Sequence, residues 1–474
     1  MDLSPPQNPL YERYASREMA GLFSSEHRYG VWRQLWITLA DCQRQLGLPI
    51  SESQIAQLRQ VADKIDFDRV AEIEKQTRHD VVSHLRHFAE QAGDAGSILH
   101  LGATSAFITD NTDLILLRQG LEILRQRTAA VVAELATFAE STREIPTLAF
   151  THLQPAQLTT VGKRACLWLQ DFLLDLEAQE RFLAVIRCRG VKGTTGTQAS
   201  YLTLFEGDHQ RVRQLDRMFA DRIGFADTFP VTGQTYPRKQ DSQILALLSG
   251  VAESCHKLGT DIRLLQGMGE TSEPFGASQV GSSAMANKRN PIRSERMCAL
   301  SRRLITDSLT GPLTAATQWF ERSLDDSANR RLVLPDSFLT ADAILGLAAG
   351  IVSGLTVNEP RIRFHVRREL PFMATESLLM KATVKGGDRQ HLHEVIRQHS
   401  MTAHEAVSQG KDNPLIELLV ADSSFDLDPT EIEEVLQPEA FTGRAADQVL
   451  DYLSEVVEPA LETVELAVVE EPRV

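Results

Sequence analysis

Leu114, Leu117, Leu121, Leu124, Thr128, Val131, Leu135 and Phe138 recur at alternating steps of three and four. Those steps return side chains to one face of a 3.6-residue helix, so the pattern predicts a long helix whose apolar seam packs at a shallow angle on others. Ile244, Leu248, Val251, Cys255, Leu258, Ile262 and Leu265 repeat it. A third stretch runs from Val161 through Trp168, Phe172 and Leu176 to Leu183, just after Pro155, a residue suited to the first turn of a helix. Seams this long are hard to cover within one small domain, so the spacing also predicts a bundle built from several copies of the chain. Strand signals are sparse: Ile145 to Phe150 and Ala226 to Thr232 can be extended, but Pro146 and Pro230 favour loops or brief hairpins there. Helix breaks at Gly102–Asn111 and at Val357-Asn358-Glu359-Pro360 divide the chain. The expected fold is all-α with three helical domains: residues 1–104, a central long-helix bundle over 105–357, and a C-terminal helical domain over 358–474.

Charge and composition remove whole classes of function. Forty-nine basic against 64 acidic side chains give a net charge of −15, which argues against a surface that grips nucleic acid or anionic lipid. An anionic ligand must therefore meet a local basic patch. Met1 to Tyr14 is polar and carries Pro5, Pro6 and Pro9, unlike a secretory leader, so a cytoplasmic location is expected. The apolar stretch Ala343–Leu355 is too short to cross ~30 Å of hydrocarbon, and no membrane span is expected. Cys42, Cys166, Cys188, Cys255 and Cys298 are scattered without a C-x-x-C pair, as expected of reduced, buried thiols.

Several motifs invite chemistry. Gly190-Val191-Lys192-Gly193-Thr194-Thr195-Gly196 lacks the glycine spacing of a phosphate or dinucleotide loop and reads better as a turn between helices. His393-Glu394 with His399 does not form a zinc motif, because six helical steps rotate about 240° where four are needed. Asp80, His84 and His87 fall at i, i+4 and i+7, which admits a metal, although a solvated helix face is the plainer reading. No metal is expected. More telling is the run from Lys288 to Arg303, where Lys288, Arg289, Arg293, Arg296, Arg302 and Arg303 face the single acid Glu295. Guanidinium groups hold carboxylates and phosphates bidentately, so the run suits a small polyanion, though helical arginines also make structural ion pairs. The small residues of Gly281 to Pro291, just upstream, have the make-up of a lid or of a plain linker.

The string Gly281-Ser282-Ser283-Ala284-Met285-Ala286-Asn287-Lys288-Arg289-Asn290-Pro291 resembles the signature loop of the fumarase/aspartase superfamily, in the Lys-Arg-Asn form of the adenylosuccinate lyases. The resemblance to the vertebrate-type members of that family continues through Arg13-Tyr14-Ala15-Ser16, Arg78-His79-Asp80-Val81, His100-Leu101-Gly102-Ala103-Thr104-Ser105 and Thr151-His152-Leu153-Gln154-Pro155-Ala156. It extends to Thr232-Gly233-Gln234-Thr235-Tyr236, Trp319-Phe320-Glu321-Arg322, Leu324 to Arg331 and Phe441-Thr442-Gly443-Arg444-Ala445, and so covers nearly the whole chain. Ala286 and Asn287 depart from the family, which usually has Pro and an aromatic or His there. Loss of the Pro is expected to loosen the open loop more than to alter the chemistry.

The resemblance implies elimination of fumarate from adenylosuccinate and from the succinylated aminoimidazole carboxamide ribotide, with no cofactor and no metal. It implies Ser282 as general base, His152 as general acid, His79 as its supporting histidine, and Lys288 as a stabiliser of the serine alkoxide together with Asn290. The implied substrate-binding set comprises Arg13, Tyr14, Arg78, His79, Asp80, Thr104, Ser105, Gln234, Asn290, Arg296, Arg322, Ser327 and Arg331. Five arginines in that set would meet a nucleotide of roughly −4, given a second phosphate pKa near 6. The family also implies a homotetramer whose long helices form one bundle, with each active site shared by three subunits. Argininosuccinate lyase, which has the same serine and histidine chemistry on a substrate without phosphate, and a scaffold that has lost the chemistry are the two rival readings; the Lys-Arg-Asn loop and the retained Ser282, His152, Lys288 and His79 count against them.

Overall fold

The computed structural model describes residues 8–276, 279, 285 and 287–467. Five helices form its centre. We number the elements that bear on the site as follows: α1 (Ser25–Gln45), α2 (Phe67–Thr77), α3 (Asp80–Ala92), α4 (Ser105–Ser141), α5 (Val161–Leu183), α6 (Lys239–Met268), α7 (Ile292–Ser308), α8 (Asp326–Ser353) and α9 (Glu359–Met373). Helices α4 to α8 pack side by side as an elongated bundle. The first predicted seam lies on α4 and the second on α6, and every member of both is buried.

Helix α8 was only half legible. Asp326–Ser353 is long and apolar enough to cross a membrane by length and composition, yet 89% of its most apolar window is buried inside the protein, as befits the innermost helix of a bundle. Pro335 lies inside it and supplies no N–H to the carbonyl of Arg331, which slackens the first two turns. Those turns carry Ser327, Arg330 and Arg331.

Three hydrophobic cores result. The largest fills the bundle and also takes in Leu10, Met19 and Leu22 from the N-terminus and Val449, Leu453 and Val457 from near the C-terminus. A second joins Trp32, Trp36 and Phe88 to residues between Ile186 and Tyr236, and a third gathers Ala374 to Ile432. The five cysteines are all free and buried.

Two readings of the sequence need correction. Pro155 does not open a helix. It lies in strand β2 (Gln154–Thr160), which pairs antiparallel with β1 (Pro146–Thr151), and Thr160 caps α5. The hairpin survives its prolines because it is a lone two-stranded ribbon, all edge. Nor do His84 and His87 sit on a solvated face. His84 stacks on Tyr29 at 3.9 Å between ring centroids, and His87 Nε2 accepts the backbone N–H of Asp66 at 3.1 Å, so both are buried for packing and hydrogen bonding. Burial holds the His84 imidazole down at about 4, hence neutral at physiological pH.

Candidate active site

A cavity of about 820 Å³ opens where α3, α4 and α8 converge, large enough for a nucleotide-sized ligand. Nine of the predicted residues line it: Arg78, His79, Asp80, Thr104, Ser105, Gln234, Arg322, Ser327 and Arg331. Local backbone explains their presentation. Arg78 takes a left-handed conformation (φ 52°) to end α2, and His79 at once caps α3, so a break two residues long turns both side chains toward the cavity. A non-glycine residue in that region costs about 1–2 kcal/mol, which the surrounding helices sustain.

Two long helices aim their N-termini at the same space. Thr104 is the N-cap of α4 and Asp325 that of α8, and neither side chain accepts a capping hydrogen bond from its own helix. The Thr104 hydroxyl is therefore not committed to capping, and the positive ends of two macrodipoles favour an anion here. His79 Nε2 lies 3.4 Å from Ser105 Oγ, and its Nδ1 lies 3.5 Å from the Asp80 carboxylate.

Charge in the cavity is carefully partitioned. Beneath it Arg238 joins Asp326 at 2.6 Å and Asp110 at 3.1 Å, while Arg330 joins Asp241 at 2.7 Å and Asp113 at 3.0 Å. Arg28 also donates to Asp113, at 2.7 Å. Burial alone would push the Asp113 carboxyl up, but Arg28 and Arg330 outweigh it and hold the group below the usual carboxylate range. Arg331 is half committed, to Asp80 at 2.6 Å. Burial likewise opposes the Asp80 carboxylate, and the Arg331 and Val81 hydrogen bonds overcome it and lower its pKa.

Arg78 and Arg322 remain. Among the described residues Arg78 makes no ion pair, and Arg322 Nη1 is buried without a hydrogen-bond partner. The nearest acid to Arg322 is Asp326, 3.8 Å from its Nη2, and that acid already serves Arg238. Burial lowers the Arg322 pKa, yet the guanidinium stays charged at any ordinary pH. A half-buried cation with a buried, unused donor at a cavity wall is apt for a carboxylate or phosphate oxygen.

Of the described residues, the remaining predicted ones do not line this cavity. Arg13 and Tyr14 end a short helical turn (Leu10–Tyr14), and it is Tyr11 from that turn that reaches the cavity wall. His152 occupies the exposed tip of the β1–β2 hairpin with Leu153, both left-handed at φ 53° and 57°. Lys288 and Asn290 precede α7, and Arg296 lies in its second turn. Ser282 lies outside the described residues, as does Ala286. The basic run divides, since Arg303 forms structural pairs with Asp307 and Asp336. Sequence reasoning missed Arg28, Tyr29, Arg238 and Arg330; the ion pairs that hold the three arginines join residues more than 80 positions apart, and no local spacing signals them, while Tyr29 is held by stacking on His84.

Known proteins resemble this chain along nearly its whole length. Residues 15–306 match a family model described as lyase, and residues 371–452 match one described as adenylosuccinate lyase C-terminus. Adenylosuccinate lyase of Schizosaccharomyces pombe is 46% identical, covering 99% of this chain and 98% of that one. That of Saccharomyces cerevisiae is 47% identical, over 96% of this chain and 95% of its own length. The chain belongs to the adenylosuccinate lyase family. Solved structures of more distant lineage share the fold of this family member: a 3-carboxy-cis,cis-muconate lactonizing enzyme from Pseudomonas putida superposes with a TM-score of 0.81 at 20% identity, over 96% of this chain and 100% of that one. A fumarate lyase from a Mesorhizobium species does so at 0.78 and 23%, over 97% and 100%. The expectation of an all-α lyase fold of the fumarase/aspartase superfamily is thereby met.

Proposed function

We propose that this lyase eliminates fumarate from adenylosuccinate, giving AMP, and from the succinylated aminoimidazole carboxamide ribotide. The observation that carries the reading is the cavity itself: two helix N-termini, Arg78, without an ion pair among the described residues, and the half-satisfied Arg322 converge on a space of nucleotide size in a chain of net charge −15. A succinyl group bears two carboxylates and the nucleotide a phosphate. Thr104, Ser105 and Gln234 are suited to the succinyl end, and the arginines to the anionic oxygens.

In the elimination a base removes a proton from the carbon beside a carboxylate, and the C–N bond on the neighbouring carbon breaks with formation of the C=C bond of fumarate. Ser282 is our candidate base, its alkoxide favoured by Lys288 and Asn290. His152 is our candidate acid, returning a proton to the leaving nitrogen, a role suited to imidazole near neutral pH. His79, beside Ser105, orients the substrate.

We propose further that the working species is a homotetramer with sites shared by three chains. His152 stands on an exposed hairpin tip away from the cavity of its own chain, next to Leu153 at 75% exposure. Leu167, Leu174 and Leu264 on the bundle and Leu313, Trp319 and Phe320 beside it are also exposed, an apolar surface that calls for a covering partner. The test is complementation. Ser282→Ala and His152→Ala proteins, each inactive, should regain part of the wild-type fumarate release when dissociated and reassembled together. No recovery from a mixture shown to contain hybrid oligomers would contradict shared sites.

A further inference from the structure

We infer that Arg189 and the glycine turn after it form a positioning device for Gln234, an inference that rests on the reading of Gln234 as a substrate contact. Arg189 is fully buried, and among the described residues it makes no ion pair. Its guanidinium instead donates to three carbonyls: Nε to Gln234 O at 2.7 Å, Nη2 to Gly193 O at 2.8 Å and Nη1 to Gly190 O at 3.2 Å. Desolvation lowers its pKa, and a buried cation without an ion-pair partner is expensive unless its hydrogen bonds hold something in place.

What it holds is the main chain at Gln234. From the opposite side Gln234 N–H donates to Glu321 O at 2.9 Å, and two residues on, Tyr236 N–H donates to Asp110 Oδ2 at 3.0 Å. The segment is thus fixed by three separate parts of the chain, while the Gln234 side chain faces the cavity. The glycines are required by contact. A Cβ on Gly196 (φ 81°) would lie 1.8 Å from Thr232 O, and one on Gly233 would lie 2.5 Å from Glu321 O. Asn111 clamps the start of the turn, accepting Gly190 N–H at 2.9 Å and donating to Gly190 O at 3.2 Å. The turn of residues 190–196 therefore needs no ligand of its own to explain its composition: it is the rear wall against which the Gln234 loop is set. Because Glu321 precedes Arg322, the same clamp sets the spacing between the Gln234 amide and the Arg322 guanidinium across the cavity.

Arg189 is accordingly a positioning residue that acts through Gln234, and a double-mutant cycle distinguishes that role from simple structural support. Steady-state fumarate release from adenylosuccinate is measured for the wild type, Gln234→Ala, Arg189→Met and the double variant, each checked for oligomeric state and thermal midpoint. Gln234→Ala should raise KM about tenfold, the scale of one lost charge-assisted contact. Arg189→Met should raise it comparably, and the double variant no further than Gln234→Ala alone. Arg189→Lys, which can retain one carbonyl contact, should recover part of the loss and takes the place of Arg189→Met in the cycle if that variant does not fold. Unchanged KM in Gln234→Ala would refute the substrate role of Gln234. A normal Gln234 effect on which the Arg189 loss multiplies in full would overturn the positioning role while leaving the Gln234 reading intact.

Discussion

Replacement of Arg322 by Met separates binding from stability. The side chain is half-buried at the cavity wall, its buried Nη1 has no partner among the described residues, and the one ion-pair contact among them is the loose 3.8 Å approach to Asp326. Asp326 keeps its 2.6 Å contact with Arg238 when Arg322 is gone, so no carboxylate is stranded. Loss of a hydrogen bond to a charged group costs about 1.5–3 kcal/mol, or roughly 10- to 150-fold in affinity. Arg322→Met should therefore raise KM for adenylosuccinate by that factor, with a thermal midpoint within about 2 °C of the wild type. Arg330→Met makes the contrast. Arg330 bonds Asp241 at 2.7 Å and Asp113 at 3.0 Å; Asp113 keeps Arg28, but Asp241 is left buried without a cation, at a cost of about 3–5 kcal/mol that should lower the thermal midpoint sharply. The assay is fumarate release at varied substrate, with scanning calorimetry on the same samples. An unchanged KM in Arg322→Met, or an Arg330→Met protein as stable as the wild type, would refute the partition of charge argued here.

Ser282→Ala should abolish turnover while leaving equilibrium binding of substrate within a few-fold; near-normal turnover would move the base elsewhere, with Ser283 the first to examine. The Asp80–Arg331 pair should persist across neutral pH. The folded pKa of Asp80 lies below its unfolded value of about 3.9, so its stabilisation is present above that value and is lost only as pH falls through the folded pKa. A KM that rises between pH 7 and 5.5 in the wild type but not in Asp80→Asn would contradict this. Asp175 behaves in the opposite sense. Burial lifts its carboxyl to about 7 despite a 2.6 Å hydrogen bond from Ser254, so the folded state holds a proton that the unfolded state has lost, and stability falls as pH rises from about 4 to 7. Asp175→Asn should raise the thermal midpoint more at pH 8 than at pH 5; an equal change at both would refute the shift.

The bundle was legible because its seams obey one rule over many turns: every seam position named on α4 and α6 is buried. Helix α8 hid because it is buried all round, which erases the amphipathic period, and because Pro335 and the charges at its start broke the apolar run. The site was legible only as short strings of residue types. Those strings brought Arg78, Thr104, Gln234 and Ser327 to one cavity, while the pairing of Arg238 with Asp110 and of Arg330 with Asp241 depends on tertiary approach. His152 shows the limit most plainly: neither a proline before a helix nor a periodic pattern signals a hairpin whose two tip residues, His and Leu, both adopt left-handed backbone.

Purified protein should be offered adenylosuccinate and argininosuccinate side by side, with fumarate release followed and the oligomeric state verified on the same sample. Release from adenylosuccinate and none from argininosuccinate is the expected result. An intact oligomer that releases no fumarate from adenylosuccinate would contradict it.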